Sequence, residues 1–351
     1  MICFYICITF IHFSAIFRSD RWKEIESTNH DSHLSGLACK LPQYCLSSRS
    51  DNTTKAYKYA FDAWTKWCVF NNICSLPGSD IHISLYLIEN AESAHSDSKI
   101  NNIYYAISWA HKLAGLPDPC KSNLVISVRE GALRLIGHSL SKKEPITPDI
   151  LKHIVLLYGK DNANLKDLRV ACMCLFSISG FLHFSELANL KRNNITFFDS
   201  HAKLYLEQSK TDIYRDGKDV LISRTLNITC PVNMFQRYLV SADISVNNTD
   251  YIFRGLIYCK SVDSYKLRKT GKLSYTSARD IVLSALKILG LDKTKYGLHS
   301  LRSGGATAAA SANIEDRIFN KHDRWKSDRA KDGYVKENIQ KRLSVTKNLV
   351  I

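Results

Sequence analysis

Residues 297–310, GLHSLRSGGATAAA, and 322–335, HDRWKSDRAKDGYV, set His299, Arg302, Trp325 and Tyr334 in order near the C-terminal end of the chain. His299 and Arg302 are three residues apart and therefore share one face of a helix. Arginine presents a planar fork that can hold two oxygens of an anion, and an imidazole can donate or relay a proton near neutral pH. The phenol of Tyr334 is a candidate nucleophile, which such cations would assist by stabilising negative charge that builds during attack on a phosphate. The small residues of SGGATAAA allow the helix to pack closely, while the free N–H groups of its first turn favour an anion.

This order resembles the tyrosine recombinase (phage integrase) family, whose signature is His-x-x-Arg, then His or Trp, then a nucleophilic Tyr nine residues on. Trp325 and Tyr334 are nine apart. The resemblance runs from about residue 50 to the C-terminus, and no single position carries it. It implies a mainly α fold with a small β-sheet: an N-terminal helical core-binding (SAM-like) domain followed by an α+β tyrosine recombinase catalytic domain. It also implies double-stranded DNA as partner, self-association as a tetramer on DNA, a mobile-element setting, and breakage and rejoining of DNA through a 3′-phosphotyrosyl intermediate. Neither a cofactor nor a metal is expected, and no small-molecule substrate. In that scheme Tyr334 attacks the scissile phosphate, with Arg302, His299 and Trp325 stabilising the transition state. Lys210, in SKTD (209–212), falls where the family places a hairpin lysine that protonates the leaving 5′-oxygen.

One position departs from the family. The run GFLHFSEL (180–187) corresponds to a family pattern G-L-R-x-S-E-L, so that His183 stands where the first catalytic arginine is expected, three residues before Glu186. Histidine lacks the bidentate fork and the permanent charge. Loss of a phosphate-clamping arginine lowers rates on the order of 10³ to 10⁵. Two readings stay open: a His183 whose protonation is favoured by a bound anion and partly substitutes, or a neutral His183 bonded to Glu186 or backbone. They correspond to an active recombinase and to an impaired, domesticated DNA-binding protein. Convergence of His183, His299 and His322 on a metal is disfavoured, because ligand spacing is missing.

With 351 residues and 45% hydrophobic content, the chain can hold two domains with their own cores. A formal charge of +15, spread along the chain, favours a polyanionic partner over a membrane surface. The 11 cysteines include no CxxC pair and read as reduced, mostly buried thiols of an intracellular protein, nuclear if the source is eukaryotic. The start, MICFYICITFIHFSAIFRSDRW, lacks a basic leading region and is short for a membrane span; a signal, an anchor and a wrongly chosen start remain open. Residues 1–45 are therefore set outside the fold as an apolar, irregular segment. A secretory route would expose sequons at Asn52, Asn194, Asn227 and Asn247.

Residues 46–140 read as a helical DNA-clamp domain. Ser50 or Asp51 caps a helix with Tyr57, Phe61, Trp64 and Cys68 on one face; DIHISLYLIENAE, SKINNIYYAISWAHKLAGL and NLVISVREGALRLIG give three more. Lys55, Lys58, Lys66, Arg129 and Arg134 serve either phosphates or plain solvated faces. SKKEPITPD (141–149) is the linker, with two prolines and with Lys142 and Lys143 beside the expected DNA path. From 150 to the end, LKDLRVACMCLFSISGF is a central core helix. Alternation in AKLYLEQ and DVLISRT around RDGK predicts a hairpin, YIFRGLI a short strand or loop, and Ser274 or Ser277 an N-cap.

Overall fold

The computed structural model describes residues 14–27, 32–94, 96–137, 142–207, 217–324, 331–336 and 339–348. The chain divides into two compact units, Met1–Leu140 and Ser141–Ile351.

The first unit is helical among its described residues. Short helices α1 (Ser14–Phe17), α2 (Asp20–Ser27), α3 (Ser32–Ala38) and α4 (Leu41–Ser47) precede α5 (Asp51–Phe70), α6 (Asp80–Glu92), α7 (Asp97–Ala114) and α8 (Asn123–Ile136). Ser50, rather than Asp51, caps α5: its hydroxyl accepts the Thr53 N–H at 3.3 Å. The stripe on α5 is Ala60, Phe61, Trp64 and Cys68, with Tyr57 only half-buried. Trp64 is fully buried, stacked on Trp67 at 5.5 Å and donating its indole N–H to Ser75 O at 3.0 Å. This hydrogen bond removes the cost of burying an indole nitrogen. On α7, Ile103, Ile107, Ala110 and Ala114 face the same core, as their spacing requires.

The leading segment needs a correction. Its described residues from Ser14 onward form short helices, and Ile16 and Trp22 are buried, with Ile16 in the core shared by α5, α6 and α7. Ser19 and Trp22 donate to the carbonyls of Ala114 and Leu113 at 2.8 and 3.0 Å, which satisfies acceptors at the end of α7. Its apolar residues thus have a partner surface that local sequence could not reveal. Residues 1–13 lie outside the described residues. Among the described residues no helix is long and apolar enough to cross a membrane.

The second unit is built around α10 (Leu165–Ser179), in which eleven residues from Leu165 to Ser177 are buried. Helix α9 (Pro148–Tyr158), capped by Thr147, precedes it, and the short α11 (Phe184–Asn189) follows. A three-stranded antiparallel sheet, β1 (Ile195–Phe197), β2 (His201–Leu206) and β3 (Lys218–Ser223), is ordered β1-β2-β3. Ala202, Leu204 and Leu206 point into the core, which confirms the alternation read in AKLYLEQ. Helix α12 (Pro231–Ser241) packs on α10 through stacked Phe176 and Phe235 rings, 4.0 Å apart. Next comes an antiparallel ribbon, β4 (Arg254–Cys259) and β5 (Ser264–Lys272), then α13 (Tyr275–Ile288), capped by Ser274. Helices α14 (His299–Ser311), α15 (Asp316–Asp323) and α16 (Ile339–Lys347) complete the described chain.

The stretch read as a linker lies against this unit from Glu144 on. Glu144 N–H donates to Lys295 O at 2.7 Å, Ile146 N–H donates to Ser300 O at 2.9 Å, and Ile146 is fully buried. The close approach depends on glycine: a Cβ on Gly304 would collide with the Ile146 carbonyl, and one on Gly305 with the Ile178 carbonyl and the Phe181 ring. The expectation that SGGATAAA packs closely therefore holds at two named residues. The mainly α fold with small antiparallel sheets is as the sequence predicts; YIFRGLI, read as a short strand or loop, supplies one strand of a two-stranded ribbon.

Candidate active site

His299 is the first residue of α14, and Arg302 lies one turn along it. His183 is the N-cap of α11, reached through a chain reversal in which Phe181 takes φ +45°. Tyr334 follows α15 and returns to α14: its carbonyl accepts the Ser303 hydroxyl at 2.5 Å, and Lys336 N–H donates to Thr307 Oγ1 at 3.0 Å. Val335 packs near Ala306, Phe181 and Phe319. Four sequence-predicted residues are thereby brought together. Ring centroids of His183 and His299 are 6.3 Å apart, of His183 and Tyr334 6.2 Å, and of His299 and Tyr334 6.5 Å; the Arg302 guanidinium carbon is 5.0 Å from the Tyr334 ring centre.

Burial holds the Tyr334 phenol above its ordinary value, while Arg302, by charge and by a hydrogen bond, draws it down. The phenol is therefore protonated at neutral pH and could act as a nucleophile only by losing that proton. His299 is exposed and His183 partly so, whereas Arg302 is 3% exposed. The Arg302 guanidinium is held by the Asp323 carboxylate and by the Phe181 carbonyl. Burial lowers the Arg302 pKa, against the raising effect of Asp323. Burial likewise pushes the Asp323 carboxyl up to about 7, against Arg302 and Arg324.

A second buried ion pair lies alongside. Arg324 donates to Glu186 Oε2 at 2.9 Å, and the side chains of both residues are almost fully buried. Glu186 Oε2 also accepts the His183 backbone N–H at 2.8 Å, which fixes the N-terminal turn of α11. This bond is made by the His183 backbone, whatever the charge on its imidazole. Asp323 and Arg324 were not legible as site residues, because a charged pair in DRW ordinarily signals solvent exposure.

The site opens into a cleft of about 620 Å³ whose lining includes Tyr334, His299, Lys142, Lys143, Lys336 and Arg342. Lys142 and Lys143 are exposed there, with Lys143 donating to Thr294 O. Lys55 is exposed and Lys58 half-exposed on α5, in the first unit. Lys210 and Trp325 lie outside the described residues, as does the turn that joins β2 to β3. His322 does not join the imidazole cluster: its Nε2 is 2.8 Å from Ser179 O and its ring packs on Phe181. Among the described residues no group of three or more His, Cys, Asp or Glu side chains could hold a metal ion.

No family model matches the chain. It is 27% identical over 305 residues, 86% of each chain, to an integrase/recombinase xerD homolog of Selenomonas ruminantium. Among solved structures, the XerH site-specific recombinase bound to palindromic difH substrate superposes with a TM-score of 0.58 at 13% identity, covering 93% of this chain and 86% of that one. The Tn1549 transposon integrase in complex with circular intermediate DNA gives a TM-score of 0.53 at 12% identity, covering 96% and 99%. The chain has the fold of these solved recombinase and integrase structures, and its sequence match to an integrase/recombinase runs through most of both chains.

Proposed function

We propose that this protein binds double-stranded DNA and breaks and rejoins it through a 3′-phosphotyrosyl intermediate on Tyr334. The observation that carries the reading is the gathering of Tyr334, Arg302, His299 and His183 beside a cleft lined with cations. Tyr334 Oη attacks the scissile phosphorus and gives its proton to an imidazole of the cluster. The P–O5′ bond breaks, and Lys210 protonates the leaving 5′-oxygen. Arg302, His299, Trp325 and His183 stabilise the pentacoordinate state. Attack by a 5′-hydroxyl on the phosphotyrosine reverses these steps, so that no external energy source is required. Lys142, Lys143, Lys55 and Lys58 contact phosphates, and protomers assemble as a tetramer on two duplexes, within the cell.

The test is a nicked duplex that loses its 5′-hydroxyl fragment after cleavage. A covalent protein–DNA adduct is expected, and is expected to vanish in Tyr334→Phe. Retained, salt-sensitive DNA binding without any adduct would exclude the enzyme reading. A second reading is favoured by His183, which lacks the arginine fork: a DNA-binding protein with impaired turnover. In that case His183→Arg should gain adduct formation from a parent that has none.

A further inference from the structure

Arg324 adopts φ +67°, in the left-handed region that glycine ordinarily fills because an L side chain there crowds its own backbone. The chain accepts this cost and places a long cationic side chain at the C-cap of α15, directly before Trp325. The side chain does not reach solvent, since Arg324 is 5% exposed. Its guanidinium donates to Glu186 Oε2 at 2.9 Å, His322 O at 2.9 Å, Gly180 O at 3.3 Å and Phe181 O at 3.4 Å. It is Arg302, not Arg324, whose guanidinium lies against the Tyr334 ring, at 5.0 Å, while the carboxylate that Arg324 meets is that of Glu186.

Glu186 is 3% exposed and sits three residues beyond position 183, where the family resemblance expects an arginine. A buried carboxylate beside a phosphate site must be neutralised, or it repels the substrate and loosens the turn that it caps. An arginine at 183, the N-cap residue, would start beside the Glu186 carboxylate, which already holds the backbone N–H of that position at 2.8 Å. Histidine there cannot supply a permanent charge, and among the described residues the cation paired with Glu186 is Arg324. The same carboxylate oxygen holds the His183 N–H, so Arg324, Glu186 and the His183 cap form one connected unit.

We propose that Arg324 is a positioning residue that supplies, from the segment leading to Tyr334, the neutralisation of Glu186 that an arginine at position 183 would provide, and so holds the His183 cap in place beside Tyr334. The proposal rests on the reading of Tyr334 as nucleophile. The two halves of an arginine's work are then divided between two residues distant in sequence: charge balance at Glu186 by Arg324, and contact with the reacting group by His183.

The test uses the full chain in a series of variants. R324G removes the guanidinium while relieving the backbone, so it should melt below the parent only if the charge pair matters. E186Q/R324G, which removes both charges, should recover the melting temperature, and so should H183R/R324G, which returns a guanidinium within reach of Glu186. By NMR the His183 ring should titrate higher in R324G, where Glu186 stands uncompensated, and should return in E186Q/R324G; a purely mechanical brace would not move it. On saturating nicked duplex, adduct formation in R324G should fall roughly 10²-fold with DNA affinity little changed, and should recover in H183R/R324G. R324G melting at or above the parent, or H183R failing to offset R324G where E186Q succeeds, overturns the proposal. A parent that forms no adduct overturns the Tyr334 reading instead, and the melting and titration series still decides the assignment of Arg324 to Glu186.

Discussion

In the first unit the interior is a set of apolar and aromatic side chains, Phe61, Trp64, Ile83, Leu87 and Ile107 among them, and the buried ring that can change charge near neutral pH is His111. In the second, four arginines (Arg169, Arg254, Arg302 and Arg324) are buried together with Glu186 and Asp323. Burying an ionised group is costly unless it is paired, and a hydrophobic substitute is often as stable. Stability alone therefore does not explain why the second unit takes on these charges. Two of its buried pairs, Arg302–Asp323 and Arg324–Glu186, meet where Tyr334 and His183 meet, and burial shifts Arg302 and Asp323, a perturbation that is common at sites of chemistry. The first unit holds its shape by packing; the second gathers paired buried charge around Tyr334 and His183.

The largest test of this contrast is Arg302→Ala. Adduct formation should fall on the order of 10³-fold or more. Because Asp323 would be left buried and unpaired, thermal unfolding should also show a loss of about 3–5 kcal/mol. Adding D323N to R302A should recover stability but not activity, and a stable single variant would erase the distinction between the units. In the first unit, Trp64→Ala should cost about 3–5 kcal/mol through lost packing. Intrinsic fluorescence can follow it, since Trp22, Trp64, Trp67 and Trp109 belong to that unit and only Trp325 to the other. Unlike the loss in R302A, this one should not be recovered by altering any charge. Gly304→Ala drives a methyl toward the Ile146 carbonyl and should cost about 1–3 kcal/mol, read as a lower denaturant midpoint.

The smallest effect concerns pH. His111 Nε2 accepts the Gly78 N–H at 2.8 Å and Nδ1 is 2.8 Å from Ile107 O, so the neutral tautomer with the proton on Nδ1 satisfies both contacts. Burial accordingly lowers its pKa below the ordinary 6.5. A folded-state value below the unfolded one gives stability that is present above pH 6.5 and is lost as pH falls through the lowered value, at no more than about 1.4 kcal/mol per pH unit. The Asp323 carboxyl, raised by burial to about 7, has the opposite sign: its contribution is present below its ordinary 3.8 and is lost as pH rises through about 7. The fluorescence-detected transition of the first unit should therefore weaken with acid, and His111→Gln should flatten that slope. D323N should leave it unchanged, and should remove a slope of the other sign from the second unit. A change in the first transition on D323N would break the separation of the two interiors.

Parts of the molecule were legible because they rest on local patterns. The stripe Phe61, Trp64 and Cys68 and the alternation Ala202, Leu204 and Leu206 are set by helix and strand periods that any window of sequence displays. The cysteines were read as reduced, mostly buried thiols, and burial pushes Cys68, Cys120 and Cys174 each up to about 12, which removes the reactive thiolate. Other parts were not legible. Strand β5 (Ser264–Lys272) is largely exposed and rich in lysine and arginine, so its pairing with β4 left no alternating apolar signal. Asn194, one of the four sequons, is buried and bonded to Glu207 at 3.0 Å, a fate that its tripeptide does not announce. The buried roles of Asp323 and Arg324 depend on partners 21 and 138 positions away.

By itself the sequence determined the longer helices from Asp51 on, the pairing of strands across 202–225, and the order His299, Arg302, Trp325 and Tyr334, with His183 as the departure. Residue type and spacing suffice for these, since they act through neighbours along the chain. Only the tertiary structure decided that Ile16 and Trp22 join a core, that glycine at 304 and 305 admits two backbone carbonyls, and that Arg324 answers Glu186. Charge balance in a buried site is set by whatever the fold brings within a few ångströms, and that sum is invisible until the chain is closed.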